Sequence, residues 1–190
     1  MEVSQTIETE EDMLTCLRIK LFSPQQDARA PYRSLPVGER KRLAADDPLR
    51  LGRDAQACTF TLADPRVSRK QLAFHAYRTP RSPDLLFTVQ NLSQKGRMSV
   101  SGLALAYLER ADLPDKALIR FGEYEMLVVR EPGEAKASFE VAFEVLPVAP
   151  SMETGMGAPN VTAVMDSGSC FCELRSHGPL ESDETLMCHY

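Results

Sequence analysis

Six runs in the middle of this chain carry apolar residues at every second position, a repeat that suits a pleated, half-buried strand. Leu17, Ile19 and Leu21 share one face, as do Cys58, Phe60 and Leu62. The pattern returns at Leu72, Phe74 and Ala76, and again at Leu85, Phe87 and Val89. Tyr124, Met126 and Val128 form a fifth run, and Phe139, Val141, Phe143 and Val145 a sixth. Turn formers separate them: Asp64-Pro65, Pro80 to Pro83, Gly96, Gly102, Gly122 and Pro132-Gly133. Short strands at this spacing predict an all-β sandwich of two antiparallel sheets. Only Leu103 to Leu113 reads as helical, and it is short.

The alternation starts near Leu14 and stops at Pro147. A single sandwich over 14–147 is therefore expected, preceded by a flexible acidic segment, 1–13, and followed by a disordered tail, 148–190. Ser151 to Ser169 is rich in Gly, Ser, Pro and Met and has no period. No stretch reaches the roughly 18 apolar residues that a membrane helix needs. The acidic start argues against a signal or transit peptide. Five scattered cysteines do not make a disulfide framework and point to a reducing, cytoplasmic setting.

Charge is unevenly spread. Met1 to Asp12 holds five acids and no base, and Ser151 to Tyr190 holds six acids against Arg175. The net charge is -5, so the body between these ends carries +5. A uniformly basic nucleic-acid binder is disfavoured. One reading is that acidic ends simply keep a chain soluble. The other is that the body holds a site for acidic or phosphorylated segments.

Little in the sequence suggests catalysis. It has neither a phosphate-binding glycine loop of the P-loop or dinucleotide type nor an H-E-x-x-H motif. The histidines are His75, in a strand run, and His177 and His189 in the tail. Cys170, Cys172, His177, Cys188 and His189 lie within twenty residues, yet their spacing is a weak match to zinc ligands. We expect no enzyme activity, no metal and no cofactor.

One ordered constellation is more specific. Leu51-Gly52-Arg53 ends a strand, and Val67-Ser68-Arg69-Lys70-Gln71 opens the next strong one. Asn91-Leu92-Ser93-Gln94-Lys95-Gly96 follows, then Val100-Ser101-Gly102-Leu103. A phosphate of nearly two negative charges needs a guanidinium, a hydroxyl donor and further cations or amides, which loops at one end of a rigid sandwich can gather. The set resembles a forkhead-associated (FHA) domain, a β-sandwich that binds phosphothreonine peptides. The resemblance implies a site built from Gly52, Arg53, Ser68, Arg69, Gln90, Asn91 and Lys95. Three positions depart from the family pattern. Gln71 stands where the family has a supporting histidine, and Lys95 and Ser101 stand where it has asparagines. Lys95 keeps positive charge near the phosphate but loses an amide that would bond the peptide backbone.

The chain is further similar to FHA adaptors that interact with TNF-receptor-associated factors (TRAFs), over about Thr9 to Pro147. Thr9-Glu10-Glu11, Leu14-Thr15-Cys16-Leu17 and Arg120-Phe121-Gly122-Glu123-Tyr124 carry this likeness, as does Pro179-Leu180-Glu181-Ser182-Asp183-Glu184 in the tail. The resemblance implies that an alpha-kinase responding to bacterial ADP-heptose phosphorylates Thr9. It implies that the FHA domain of another copy reads the mark. Pro179, Glu181 and Glu184 would then recruit TNF-receptor-associated factor 6 and activate NF-κB in innate immunity. Two alternatives remain at this level: an FHA module reading a different phosphoprotein, or a regulator of the family's B type. Thr9 precedes Leu14 by five residues, a reach of about 18 Å at most, so binding in trans is expected over self-binding.

Overall fold

The computed structural model describes residues 13–25 and 30–153. They form two β-sheets face to face. The larger sheet contains β1 (Cys16–Phe22), β2 (Arg40–Ala44), β7 (Met98–Val100), β8 (Leu103–Leu105), β10 (Lys116–Phe121), β11 (Tyr124–Glu131) and β12 (Ser138–Val145). Its spatial order is β2-β12-β1-β11-β10-β7-β8. The smaller sheet contains β3 (Leu49–Gly52), β4 (Phe60–Thr61), β5 (Leu72–Thr79), β6 (Ser82–Asn91) and β9 (Arg110–Leu113), in the order β4-β3-β5-β6-β9. One helical turn, α1 (Pro150–Glu153), follows, and the backbone N–H and hydroxyl of Ser151 bond Glu125 at 3.0 and 2.8 Å.

The alternating residues point inward as expected. Leu17, Ile19 and Leu21 are buried, as are Leu85, Phe87 and Val89 on the facing sheet. Aromatic edges lock the layers: Phe87 meets Phe139 with ring centroids 5.1 Å apart, and Phe60 meets Phe143 at 4.8 Å. Fully burying such a side chain stabilises the fold by about 1.5–3 kcal/mol, so the core dominates the energetics.

The sandwich differs from the sequence reading in detail. The sheets are mixed: β1 runs parallel to β12, and β3 parallel to β4, while the other strand pairs are antiparallel. The expected helix over Leu103 to Leu113 is instead two short strands. Ser101 and Gly102, at φ 49° and 88°, turn β7 back on β8 so that Val100 faces Leu103 and Met98 faces Leu105. Left-handed backbone at two successive residues matches the twist of a tight hairpin and leaves no start for a helix. The strand expected around Cys58 to Leu62 shrinks to Phe60–Thr61.

Candidate functional site

The loops leaving β3 and β6 and entering β5 meet at one end of the sandwich. Backbone bonds join the loop leaving β3 to the loop entering β5: Arg53 N–H donates to the Ser68 carbonyl at 3.0 Å, and Asp54 N–H to that of Arg69 at 3.1 Å. Gly52 makes this approach possible, because a Cβ there would lie 2.3 Å from the Arg69 carbonyl oxygen. The third loop is tied in by hydroxyls. Ser68 Oγ lies 2.7 Å from Ser93 Oγ, and Ser93 Oγ accepts the Gly96 N–H at 3.0 Å. When Ser93 gives its proton to Ser68, the Ser68 hydroxyl keeps its own for a ligand oxygen.

These loops enclose a cleft of about 540 Å³. Arg53, Ser68, Arg69 and Lys95 line it, four of the seven residues expected from the sequence. Lys70 adds a fourth cation. Asp54 is the acid on the wall, and its carboxylate accepts the Gln56 N–H of its own turn. None of the four cations makes an ion pair among the described residues, whereas Arg18, Arg40, Arg66 and Arg130 all do. Unpaired cations around a hydroxyl donor suit a doubly charged tetrahedral anion.

The remaining expected residues lie behind this wall. Gly52 sits under the Arg69 backbone. Asn91 is buried, donates to the Leu105 carbonyl at 2.9 Å and accepts the Ser93 N–H at 2.9 Å. Gln90 donates to the Leu108 carbonyl at 3.0 Å and pairs with His75 at 3.1 Å. Burial lowers the His75 pKa, consistent with a strand histidine. Gln71 is buried; its side-chain oxygen accepts the Ser68 N–H at 3.3 Å and its carbonyl the Leu92 N–H at 3.0 Å. It therefore braces two loops. Thr9, Pro179, Glu181, Glu184 and the tail's Cys/His cluster lie outside the described residues. Among the described residues no group of three or more His, Cys, Asp or Glu could hold a metal, and no helix is long and apolar enough to cross a membrane.

Sequence reasoning missed Tyr107, which reaches the cleft wall from the loop between β8 and β9. Leu108 beside it adopts φ 66°. A left-handed leucine costs roughly 1–2 kcal/mol. Its backbone is held from both sides, by its N–H to the Asn91 carbonyl at 2.8 Å and by Gln90 on its own carbonyl.

A second cavity of about 410 Å³ shares Ser68 and Lys95 with the cleft and extends to Phe121 and Tyr124. Gln71 Nε2 is buried beside it without a hydrogen-bond partner. An ionic anchor underlies this side. Asp64, 4% exposed, accepts the Arg66 guanidinium at 2.6 Å and the Tyr124 hydroxyl at 2.6 Å, and Arg66 reaches Glu123. The Arg66 bonds hold the Asp64 carboxyl well below the usual carboxylate range, with help from Tyr124 and against the opposing effect of burial. Burial and the Asp64 charge raise Tyr32 to about 12. A lowered folded-state pKa means that Asp64 contributes stability above the unfolded value near 4, and that this is lost as pH falls below it. Asp64→Asn should therefore cost about 2 kcal/mol at pH 7. The gap from wild type should narrow as denaturant melts are taken below about pH 4. An equal gap at pH 7 and pH 2.5 would remove this role.

The FHA-domain family model matches residues 49–122, a span that includes all the loops just described. The chain thus carries an FHA domain. TRAF-interacting protein with FHA domain-containing protein A of Rattus norvegicus is 33% identical over 72% of this chain and 74% of its own length. The Homo sapiens protein of that name is 30% identical over 92% of this chain and 94% of its own. The Homo sapiens B form is 36% identical over 72% and 82%. The chain belongs to the family of TRAF-interacting proteins with an FHA domain. That family consists of adaptors, not enzymes. Among solved structures, the FHA domain of an Arabidopsis thaliana hypothetical protein is 19% identical over 48% of this chain and 71% of its own, with a TM-score of 0.38, a likeness too loose to add weight.

Proposed function

We propose that this chain is a phosphorylation-driven signalling adaptor. Its cleft binds phosphothreonine 9 of another copy, and the resulting assembly recruits TRAF proteins through Pro179, Glu181 and Glu184. The observation that carries this reading is the set of four unpaired cations around Ser68. Arg53 and Ser68 bond the phosphate, Arg69, Lys70 and Lys95 add charge, and Asn91 and Gln90 hold the loops from behind.

Register supports binding in trans. β11 runs from Tyr124, beside the second cavity, to Glu131, which pairs with Cys16 at the start of β1. Seven strand steps cover about 23 Å. Met13 is pinned at the far end, where its carbonyl accepts the Glu134 N–H at 2.7 Å. Thr9 is four residues from Met13 and reaches about 14 Å at most. It falls short of its own cleft and must be read by a neighbour. Head-to-tail contacts that do not close build open chains. Many copies of a weak TRAF-binding peptide on one assembly then act through avidity. The relatives' names report interaction with TRAFs. In this scheme TNF-receptor-associated factor 6 is the ligase engaged in the cytoplasm, NF-κB the output, and an alpha-kinase responding to bacterial ADP-heptose the trigger.

The test compares full-length chain phosphorylated at Thr9 with the same chain lacking residues 179–190. Both should elute as higher-order species on size exclusion, and only the full chain should retain purified TNF-receptor-associated factor 6. Retention by the shortened chain would reject the tail motif, and monomeric elution of both would reject the assembly.

A further inference from the structure

The two sheets end in four edge strands, β2, β8, β4 and β9. A bare edge invites pairing with another chain, and proteins protect it with charge or by covering it. β2 carries Arg40, Lys41 and Arg42, and β9 carries Arg110 and Asp112. β4, Phe60–Thr61, is half-buried. β8 has neither protection: no charged residue occurs from Met98 to Leu108, Leu103 is 62% exposed, and Ala104 is exposed beside it.

Register shows what this edge offers. Ser101 N–H donates to the Leu118 carbonyl at 2.7 Å, and Ser99 pairs with Arg120, so both serines bond toward β10. Bonded and non-bonded pairs alternate along an antiparallel ladder, so Val100 bonds β8 through Leu103, and the next pair, Ser99 with Ala104, exchanges no bond. Ala104 therefore turns its N–H and C=O outward, away from β7. Further along, the Glu109 carboxylate takes the Ala106 N–H at 2.7 Å. The open part of the edge is one residue's donor and acceptor, flanked by Leu103 and Leu105.

We propose that β8 pairs antiparallel with β8 of a second copy, about a two-fold axis at Ala104. Each Ala104 donates to the other's carbonyl, which uses both open groups at this edge. Leu103 then lies opposite Leu105 of the second copy and is covered by it. A second copy fits because the contact is its own complement: neither side brings a charge, and a single bonded pair at the axis is the whole ladder. Three residues a side fall far short of the roughly 1,200 Å² that a stable interface buries. The contact therefore does not hold free copies together. It acts where Thr9-phosphate binding has already gathered them, joining neighbouring chains side by side, and in that respect it rests on the phosphothreonine reading above.

The test is disulfide trapping in the full-length Ala104→Cys chain, phosphorylated at Thr9 and oxidised with copper phenanthroline. A bonded antiparallel pair sets its Cα atoms about 5.5 Å apart, which suits a disulfide. Mass spectrometry reads the bond between positions 104 of two copies and separates it from any made by the five native cysteines. Phosphorylated chain should form this bond at least tenfold faster than unphosphorylated chain. Adding Leu103→Lys should slow it about tenfold. That variant should melt like wild type, since Leu103 is largely exposed, and should keep its affinity for the Thr9-phosphorylated peptide within twofold, since Leu103 does not line the cleft. Size exclusion in reductant separates the two levels. If phosphorylated chain assembles but the bond forms no faster, or Leu103→Lys does not slow it, the edge pairing is overturned and the cleft stands. If nothing assembles yet the bond forms and Leu103→Lys slows it, the pairing stands and the phosphothreonine reading falls. Neither assembly nor bond overturns both.

Discussion

Arg53→Ala abolishes binding of the Thr9-phosphorylated peptide while leaving the fold intact. The side chain is exposed and makes no ion pair among the described residues, and the loop is held by the Arg53 backbone N–H, which the substitution keeps. The exposed guanidinium makes no hydrogen bond or ion pair among the described residues, so the melting temperature should stay within about a degree, as for a surface substitution. The phosphate, by contrast, loses a planar donor able to make two charge-assisted bonds, each contributing about 1.5–3 kcal/mol. Affinity should fall more than a hundredfold. Ser68→Ala is the informative comparison. It removes one neutral donor, about 1 kcal/mol, and also the partner of buried Ser93, so it should weaken binding severalfold and lower stability slightly. The two variants therefore separate along different axes, one in binding alone and one in both. Titration calorimetry with thermal melts reads them together. Wild-type-like affinity in Arg53→Ala would remove that residue from the site, whatever Ser68→Ala does.

Legibility in the sequence followed burial. Long strands that bury one face, such as β1, β6 and β12, show their period directly in Leu17, Phe87 and Phe139. β2, Arg-Lys-Arg-Leu-Ala, lies at the sheet edge with its outer positions exposed, so no alternation marks it. The parallel pairing of β1 with β12 joins the two ends of the domain, and no local pattern encodes it. The apparent helix at Leu103 to Leu113 came from an apolar sequence whose Ser101-Gly102 turn outweighs periodicity. The site divides similarly. Arg53, Ser68 and Lys95 sit in turn motifs with recognisable spacing, and the fold brings them to one cleft. Asn91 and Gln90 read as ligand contacts, because sequence does not separate a polar residue facing a ligand from one bracing the loop behind it. Tyr107 had no signal at all. It reaches the cleft only because β8 folds back on β7 and the chain then enters the other sheet at β9.

A mixture of two inert proteins should regain a complex that neither forms alone. Thr9 lies in a segment with five acids and no base, ahead of a body with a net positive charge. That acidity gives only diffuse attraction, screened within about 10 Å at 0.1 M salt. Phosphorylation adds nearly two charges and three acceptor oxygens in tetrahedral geometry, which the cleft can bond directly. Phosphorylated wild type should therefore grow into higher-order species, and Thr9→Ala should not. Thr9→Glu should also fail, since one planar carboxylate supplies neither the charge nor the geometry. Phosphorylated Arg53→Ala keeps the ligand and loses the reader, whereas Thr9→Ala keeps the reader and loses the ligand. Each alone should elute as the unphosphorylated protein does. Mixed, they should pair one to one and stop. The bound Thr9→Ala copy offers no phosphate to a third molecule, and the bound Arg53→Ala copy offers no working cleft. Light scattering would report a mass added by one copy of each, independent of protein excess. Self-reading in cis predicts no complex in the mixture at all. Growth beyond the pair would mean that a second contact, outside the cleft, propagates the chain.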